Sequence, residues 1–103
     1  MSAIITRIWH GTTPAHHADA YLQYLEASGI ADYKKTPGNL GVQVLRRLDG
    51  PICHFWTVTR WTSYDSIRQF AGADYEKARY YPEDAQYLLE FEPHVIHCET
   101  FEF

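Results

Sequence analysis

Cys53-His54-Phe55-Trp56-Thr57-Val58-Thr59-Arg60-Trp61 is the stretch on which the fold turns. Its aromatic and β-branched content predicts a strand. Strand side chains alternate between faces, so Phe55, Thr57, Thr59 and Trp61 share one side and His54, Trp56, Val58 and Arg60 the other. A small antiparallel sheet commonly leaves one face to water. Here each face carries a tryptophan, and the chain has few helical segments to cover them. The second face calls for a partner subunit, a bound ligand, or both.

Working outward, Leu40 to Leu48 reads as the preceding strand, joined through the hairpin signal Asp49-Gly50, with Pro51 opening the return. Before it, Thr36-Pro37-Gly38-Asn39 signals a turn, within a loop expected from Ile30 to Asn39. Ile4 to His10 reads as the first strand, ended by Gly11. Thr13-Pro14 is expected to open a helix, with Thr13 as cap and Pro14 at its first position. Ala18, Tyr21, Leu22 and Leu25 supply its buried stripe, and Gly29 its stop.

After Trp61, Thr62-Ser63-Tyr64-Asp65 fits a capping box for a helix burying Ile67, Phe70 and Ala71, with Gly72 at its end. Tyr75 and Ala78 suggest a further short helical piece, and Pro82 starts another through Tyr87, Leu88 and Leu89. Pro93 marks the return to a last strand from His94 to Phe103. The order strand–helix–strand–strand–helix–strand is the split βαβ arrangement of an α+β, ferredoxin-like sandwich. The expectation is a single domain over residues 1–103. A bare second face would expose some of Trp56 or Trp61, Ile5 or Ile8, and Val95 or Ile96. Burying each such side chain is worth about 1.5–3 kcal/mol, which predicts a homodimer. The alternative is that strand twist and the extra helix hide these residues in a monomer.

A formal charge of −4 over 103 residues, with no basic run longer than Lys34-Lys35 or Arg46-Arg47, argues against nucleic-acid and anionic-membrane partners. No window is long and apolar enough to span a bilayer. Met1-Ser2-Ala3 does not begin a signal peptide, and Cys53 and Cys98 suit reduced core thiols, so a cytoplasmic protein is expected.

Ile8-Trp9-His10-Gly11, Thr36-Pro37-Gly38-Asn39-Leu40-Gly41, Leu45-Arg46-Arg47 and Trp61-Thr62-Ser63 resemble small proteins of the antibiotic biosynthesis monooxygenase superfamily. So do Phe70-Ala71-Gly72-Ala73-Asp74-Tyr75 and Ala78-Arg79-Tyr80-Tyr81-Pro82. The resemblance spans nearly the whole chain. It implies a ferredoxin-like fold paired as a dimeric α+β barrel, with a pocket between sheet and helices. It also implies cofactor-free oxygenation of aromatic polyketides or quinols, haem degradation, or membership without an established reaction. Trp61 matches the tryptophan of catalytic members. The haem-degrading branch adds an asparagine on the first strand and a helical histidine. Here the only asparagine is Asn39, in a turn, and His16 and His17 sit in the first helix's opening turn.

A cofactor-free oxygenase needs a base, aromatic walls and a group to hold an oxyanion. His10, His54 or His97 is the candidate base, histidine being suited to proton transfer near neutrality. Arg60 or Arg79 is the candidate oxyanion holder. Trp9, Trp56, Trp61, Tyr75 and Tyr80 are the candidate walls for an aromatic small molecule. Each has a competing structural role in packing or on a solvated face. His94 and His97 fall on opposite faces of a regular strand, poor geometry for zinc. No cofactor or metal is expected. The rival readings are a non-catalytic small-molecule-binding or dimerisation protein, and a haem binder using one histidine.

Overall fold

In the computed structural model, which describes residues 3–103, β1 (Ile4–Pro14) pairs on one side with β3 (Ile52–Trp61) and on the other with β4 (Ile96–Thr100), while β2 (Asn39–Asp49) flanks β3. The order is β2-β3-β1-β4 and every pairing is antiparallel, as the split βαβ arrangement requires. Met1 and Ser2, where the reading of a signal-free start begins, lie outside the described residues. No described helix is long and apolar enough to cross a membrane.

The expected α+β barrel is corrected by this topology. The sheet is open, with β2 and β4 as separate edges. Four strands, one of them only five residues long, are too few to close on themselves.

The decisive stretch obeys its alternation. Cys53, Phe55, Thr57, Thr59 and Trp61 are buried, whereas His54, Trp56, Val58 and Arg60 are half-buried on the opposite face. In β1 the buried set is Ile5, Arg7, Trp9, Gly11 and Thr13. The covering layer is α1 (Ala18–Leu25), which runs through a π turn (Glu26–Ile30) into α2 (Ala31–Lys35), together with α3 (Tyr64–Ala71). Two apolar clusters result. One joins Trp9, Tyr21, Leu25, Phe55 and Val95; the other joins Ile5, Tyr33, Trp61, Ile67 and Phe70.

Several boundaries differ from expectation. β1 continues past Gly11 to Pro14, paired there with Phe55 to Ile52 of β3, and the Trp9 ring lies over Gly11 where a Cβ would clash with it. Glycine serves close packing there, not a strand end. Thr13 is buried in the strand, donates to the Pro14 carbonyl at 3.0 Å and caps nothing. A short 3-10 turn (Ala15–His17) intervenes before α1. Gly29 does not stop the helix, since the π turn absorbs it and α2 occupies part of the expected loop.

Ser63 caps α3 by accepting the Ser66 N–H, but Asp65 pairs with Arg68 at 2.7 Å instead of closing the box. Tyr75 and Ala78 form no helix, and Pro82 opens only a 3-10 turn (Pro82–Gln86). The last strand is shorter than the expected 94–103. His94 makes only an isolated bridge with Lys77. Cys53 is a buried free thiol, but Cys98 is exposed. They sit opposite Thr13 and Thr6, far apart along β1.

Candidate functional site

Between the two apolar clusters, on the covered side of the sheet, lies a small cavity. Its floor is β1 and β3, through Arg7, Trp9 and Thr57. Tyr21 of α1, Gly29 of the π turn and Tyr33 of α2 form one wall. The opposite wall comes from the segment between α3 and β4: Arg79, Tyr80, Tyr81, Asp84 and Val95. The free space is about 20 Å³, enough for one body the size of a water molecule.

Polar contacts hold the irregular wall in place. Trp9 Nε1 donates to Tyr80 Oη at 3.4 Å, and Tyr80 Oη donates to the Glu92 carbonyl at 2.6 Å. Arg79 donates to the Phe70 carbonyl at 2.8 Å and pairs with Asp32 at 3.3 Å. Tyr81 Oη donates to the same Asp32 carboxylate at 2.6 Å. Asp84 accepts from Tyr21 Oη at 3.0 Å and from the Tyr81 N–H at 2.6 Å. Burial pushes the Asp84 carboxyl above its usual range, against the lowering effect of those two donors. Burial, and then the neighbouring Asp84, push the Tyr21 phenol up, so Tyr21 stays a donor.

Arg7 is the cavity's unusual member. Its side chain is 1% exposed, yet no carboxylate lies within ion-pair distance among the described residues. Nη1 donates to the Tyr75 carbonyl at 2.5 Å and meets His97 Nε2 at 3.1 Å, and Nη2 donates to the Lys77 carbonyl at 3.2 Å. Because an arginine can only donate, His97 Nε2 is the acceptor and the ring is neutral. Burial first, and then the Arg7 charge, bring the His97 imidazole down to about 4. Tyr33 Oη and Thr57 Oγ1 share a hydrogen bond at 3.2 Å, and burial pushes the Tyr33 phenol up against the lowering effects of Thr57 and Arg7.

The candidates read from sequence divide into groups. Trp9, Arg79 and Tyr80 come together at the cavity. His97 and Tyr75 sit on the other side of Arg7, their rings 5.2 Å apart. Trp61 is wholly buried in the second cluster, its Nε1 donating to Thr59 Oγ1 at 2.8 Å, and does not line the cavity.

His10, His54 and Trp56 lie on the open face. His10 Nδ1 meets the Glu92 carboxylate, His10 Nε2 is 2.9 Å from His54 Nδ1, and His54 Nε2 is 3.9 Å from Asp49. Trp56 stacks beside both rings at 5.1 and 5.7 Å. Arg60 belongs to that face too, over Gly41 of the neighbouring strand. Apolar Ile8, Leu45, Val58 and Ile96 surround Trp56 there. Sequence reasoning passed over Arg7, Tyr21, Tyr33 and Asp84. For Arg7 the signal is alternation itself, which sets a cation between Ile5 and Trp9 on the buried side of β1.

No histidine lines the cavity, so a haem there would find no imidazole ligand, and no group of three or more His, Cys, Asp or Glu side chains among the described residues is placed to hold a metal ion.

No family model matches the sequence, and no curated protein matches it. Solved structures do. A proposed antibiotic biosynthesis monooxygenase from Bacillus cereus superposes with a TM-score of 0.68 at 12% identity, covering 98% of each chain. A proposed monooxygenase from Shewanella loihica gives 0.58 at 22% identity, covering 100% of this chain and 99% of that one. A heme-degrading protein from Mycobacterium tuberculosis gives 0.62 at 19% identity, covering 97% and 96%. At these identities what is shared is the fold: this chain has the open, antiparallel α+β architecture of proteins described as antibiotic biosynthesis monooxygenases.

Proposed function

We propose that this protein is a cofactor-independent monooxygenase acting on a phenolic, quinol or polyketide-like aromatic small molecule at the covered-face cavity. The supporting observation is a buried carboxyl, Asp84, on the wall of a cavity lined by Trp9, Tyr21, Tyr33 and Tyr80. A carboxyl raised by burial is a stronger base than one in water. Asp84 takes the substrate hydroxyl proton, Arg79 at the mouth holds the resulting oxyanion, and the aromatic rings orient the substrate. The electron-rich anion reduces dioxygen and forms a carbon–oxygen bond at an activated ring carbon. The oxygen–oxygen bond then breaks. One atom stays as a carbonyl, and the other leaves as water with two hydrogens from the substrate, so no external reductant is needed. Entry of a ring displaces the irregular segment carrying Arg79, Tyr80 and Tyr81.

A second copy of the chain is proposed to cover the open face, where Leu45 and Ile96 are 52% and 59% exposed. His10 and His54 then serve that interface, on the side of the sheet away from the cavity.

Oxygen uptake by metal-stripped protein, measured over a panel of naphthols, quinols and anthrones, tests the reaction. The expected result is turnover of at least one ring class, lowered about 10²–10⁴-fold by Asp84→Asn with an unchanged circular-dichroism spectrum. Uptake at the buffer rate throughout the panel would overturn the oxygenation reading and leave the non-catalytic one.

A further inference from the structure

The buried guanidinium of Arg7 points to a carboxylate on the ligand. A guanidinium has five N–H groups and no means of losing its charge at ordinary pH. Three are spent on neutral partners: the Tyr75 and Lys77 carbonyls and His97 Nε2. The Nε N–H has no acceptor, the only buried side-chain nitrogen or oxygen so placed among the described residues. One N–H on Nη2 also remains. Nε and Nη2 are the adjacent nitrogens with which arginine grips a carboxylate side-on.

The surroundings offer no internal substitute for that anion. Tyr33, whose side chain also interacts with Arg7, is a neutral phenol hydrogen-bonded with Thr57 and supplies no anion. Asp84, on the same cavity wall, is engaged by Tyr21 and the Tyr81 N–H and makes no ion pair with Arg7. Arg79, the other cavity cation, already has Asp32. Arg7 is thus a desolvated charge that lines a cavity with no carboxylate in ion-pair reach, and its Nε N–H has no hydrogen-bond acceptor.

We propose that the cavity, widened by displacement of the segment carrying Arg79, Tyr80 and Tyr81, takes a ligand bearing a carboxylate, received by Nε and Nη2 of Arg7, with the apolar body of the ligand against Trp9 and Val95. The inference rests on the same cavity as the oxygenation reading, though not on that reaction. Taken together, the two name the substrate class as a hydroxyaromatic carboxylic acid.

The test uses formate, acetate and benzoate, each against its neutral amide, with nitrogen-15-labelled protein. None of these probes is a substrate for the proposed oxygenation, so the outcome is independent of turnover. At least one carboxylate is expected to bind one-to-one, about tenfold or more tighter than its amide, and to shift the Arg7 Nε–H resonance. Arg7→Lys, which keeps the charge but not the fork, is expected to lose that preference, while Arg68→Gln on exposed α3 keeps it. Equal binding of acid and amide, or no binding by any acid, would overturn the proposal. So would an Nε–H resonance that stays put at saturation. That resonance decides the matter in the native chain even if the Arg7 variant does not fold.

Discussion

His97 accepts the Arg7 Nη1 N–H through Nε2, and a proton added to that nitrogen would set two cations nose to nose. Burial first, and then the Arg7 charge, bring its imidazole from an ordinary 6.5 to about 4 in the folded chain. With the folded value below the unfolded one, acid favours the unfolded state. Stability from this group is fully present above about pH 6.5 and is lost as pH falls towards 4. Because the ring is only partly buried, the loss is discounted to about 1–2 kcal/mol. Urea melts between pH 7 and 4 should show it, and His97→Gln should flatten that part of the profile. Trp9 makes a second residue-scale case. Its ring fills the space where a Gly11 Cβ would stand, so Gly11→Ala should cost about 1–3 kcal/mol by overpacking. It should also shift the Trp9 fluorescence. Gly11 reads in the sequence as a strand end because a missing side chain looks the same whether it frees the backbone or makes room for a ring. Arg7 was legible in principle from alternation, but whether its charge had a partner depended on residues 68 and 70 positions further along the chain.

The elements that sequence captured best are those fixed by short-range rules. β2 and β3 meet at Gly50 (φ +60°) and Pro51, where glycine supplies the positive φ of a tight hairpin. α3 ends at Gly72 (φ +91°). The helix from α1 to α2 is different. Gly29 lacks a positive φ and lies inside the π turn, so it marks no end. A helical glycine is usually the weaker choice, and a Cβ at this position would meet only Tyr81 Cε2, at 3.7 Å. Gly29→Ala should thus stabilise the chain by about 0.5–1 kcal/mol in urea unfolding. Destabilisation of that size would contradict a helix continuous through this position. Between Gly72 and Val95 the tyrosines, Ala78 and leucines fall at helical spacing and so predict helix that does not form, apart from a 3-10 turn at Pro82–Gln86. The segment's shape is set instead by distant partners: Leu89 N–H bonds to the Thr12 carbonyl, Ala78 N–H to Pro93 and Val95 N–H to Glu76. It wraps the length of β1 that β4 leaves unpaired, placing Tyr80 on the covered side and the Glu92 carboxylate on the open one.

At the scale of the molecule, the two tryptophans of β3 have different fates. Trp61 is sealed inside, while Trp56 stands half-buried among Ile8, Leu45, Val58 and Ile96 on a face that no helix covers. Alternation made that asymmetry legible. It could not say which layer, if any, lies over Trp56, because a face left open within one chain carries no record of its cover. Large apolar side chains on one face, each worth about 1.5–3 kcal/mol when buried, are what the proposed second copy would cover. The histidines bear on the same point. His10 is hydrogen-bonded to Glu92 and to His54, so both of its ring nitrogens are engaged within the chain, and His54 Nε2 stands 3.9 Å from Asp49. Sedimentation velocity at micromolar concentration should give twice the chain mass. Leu45→Glu, which sets a carboxylate into the exposed apolar patch, should halve it without altering the circular-dichroism spectrum. Carboxylate binding at Arg7 should survive that change, since the cavity lies on the opposite side of the sheet and is lined by residues of one chain. A native chain that sediments as a single copy would show that this face has some occupant other than a second copy.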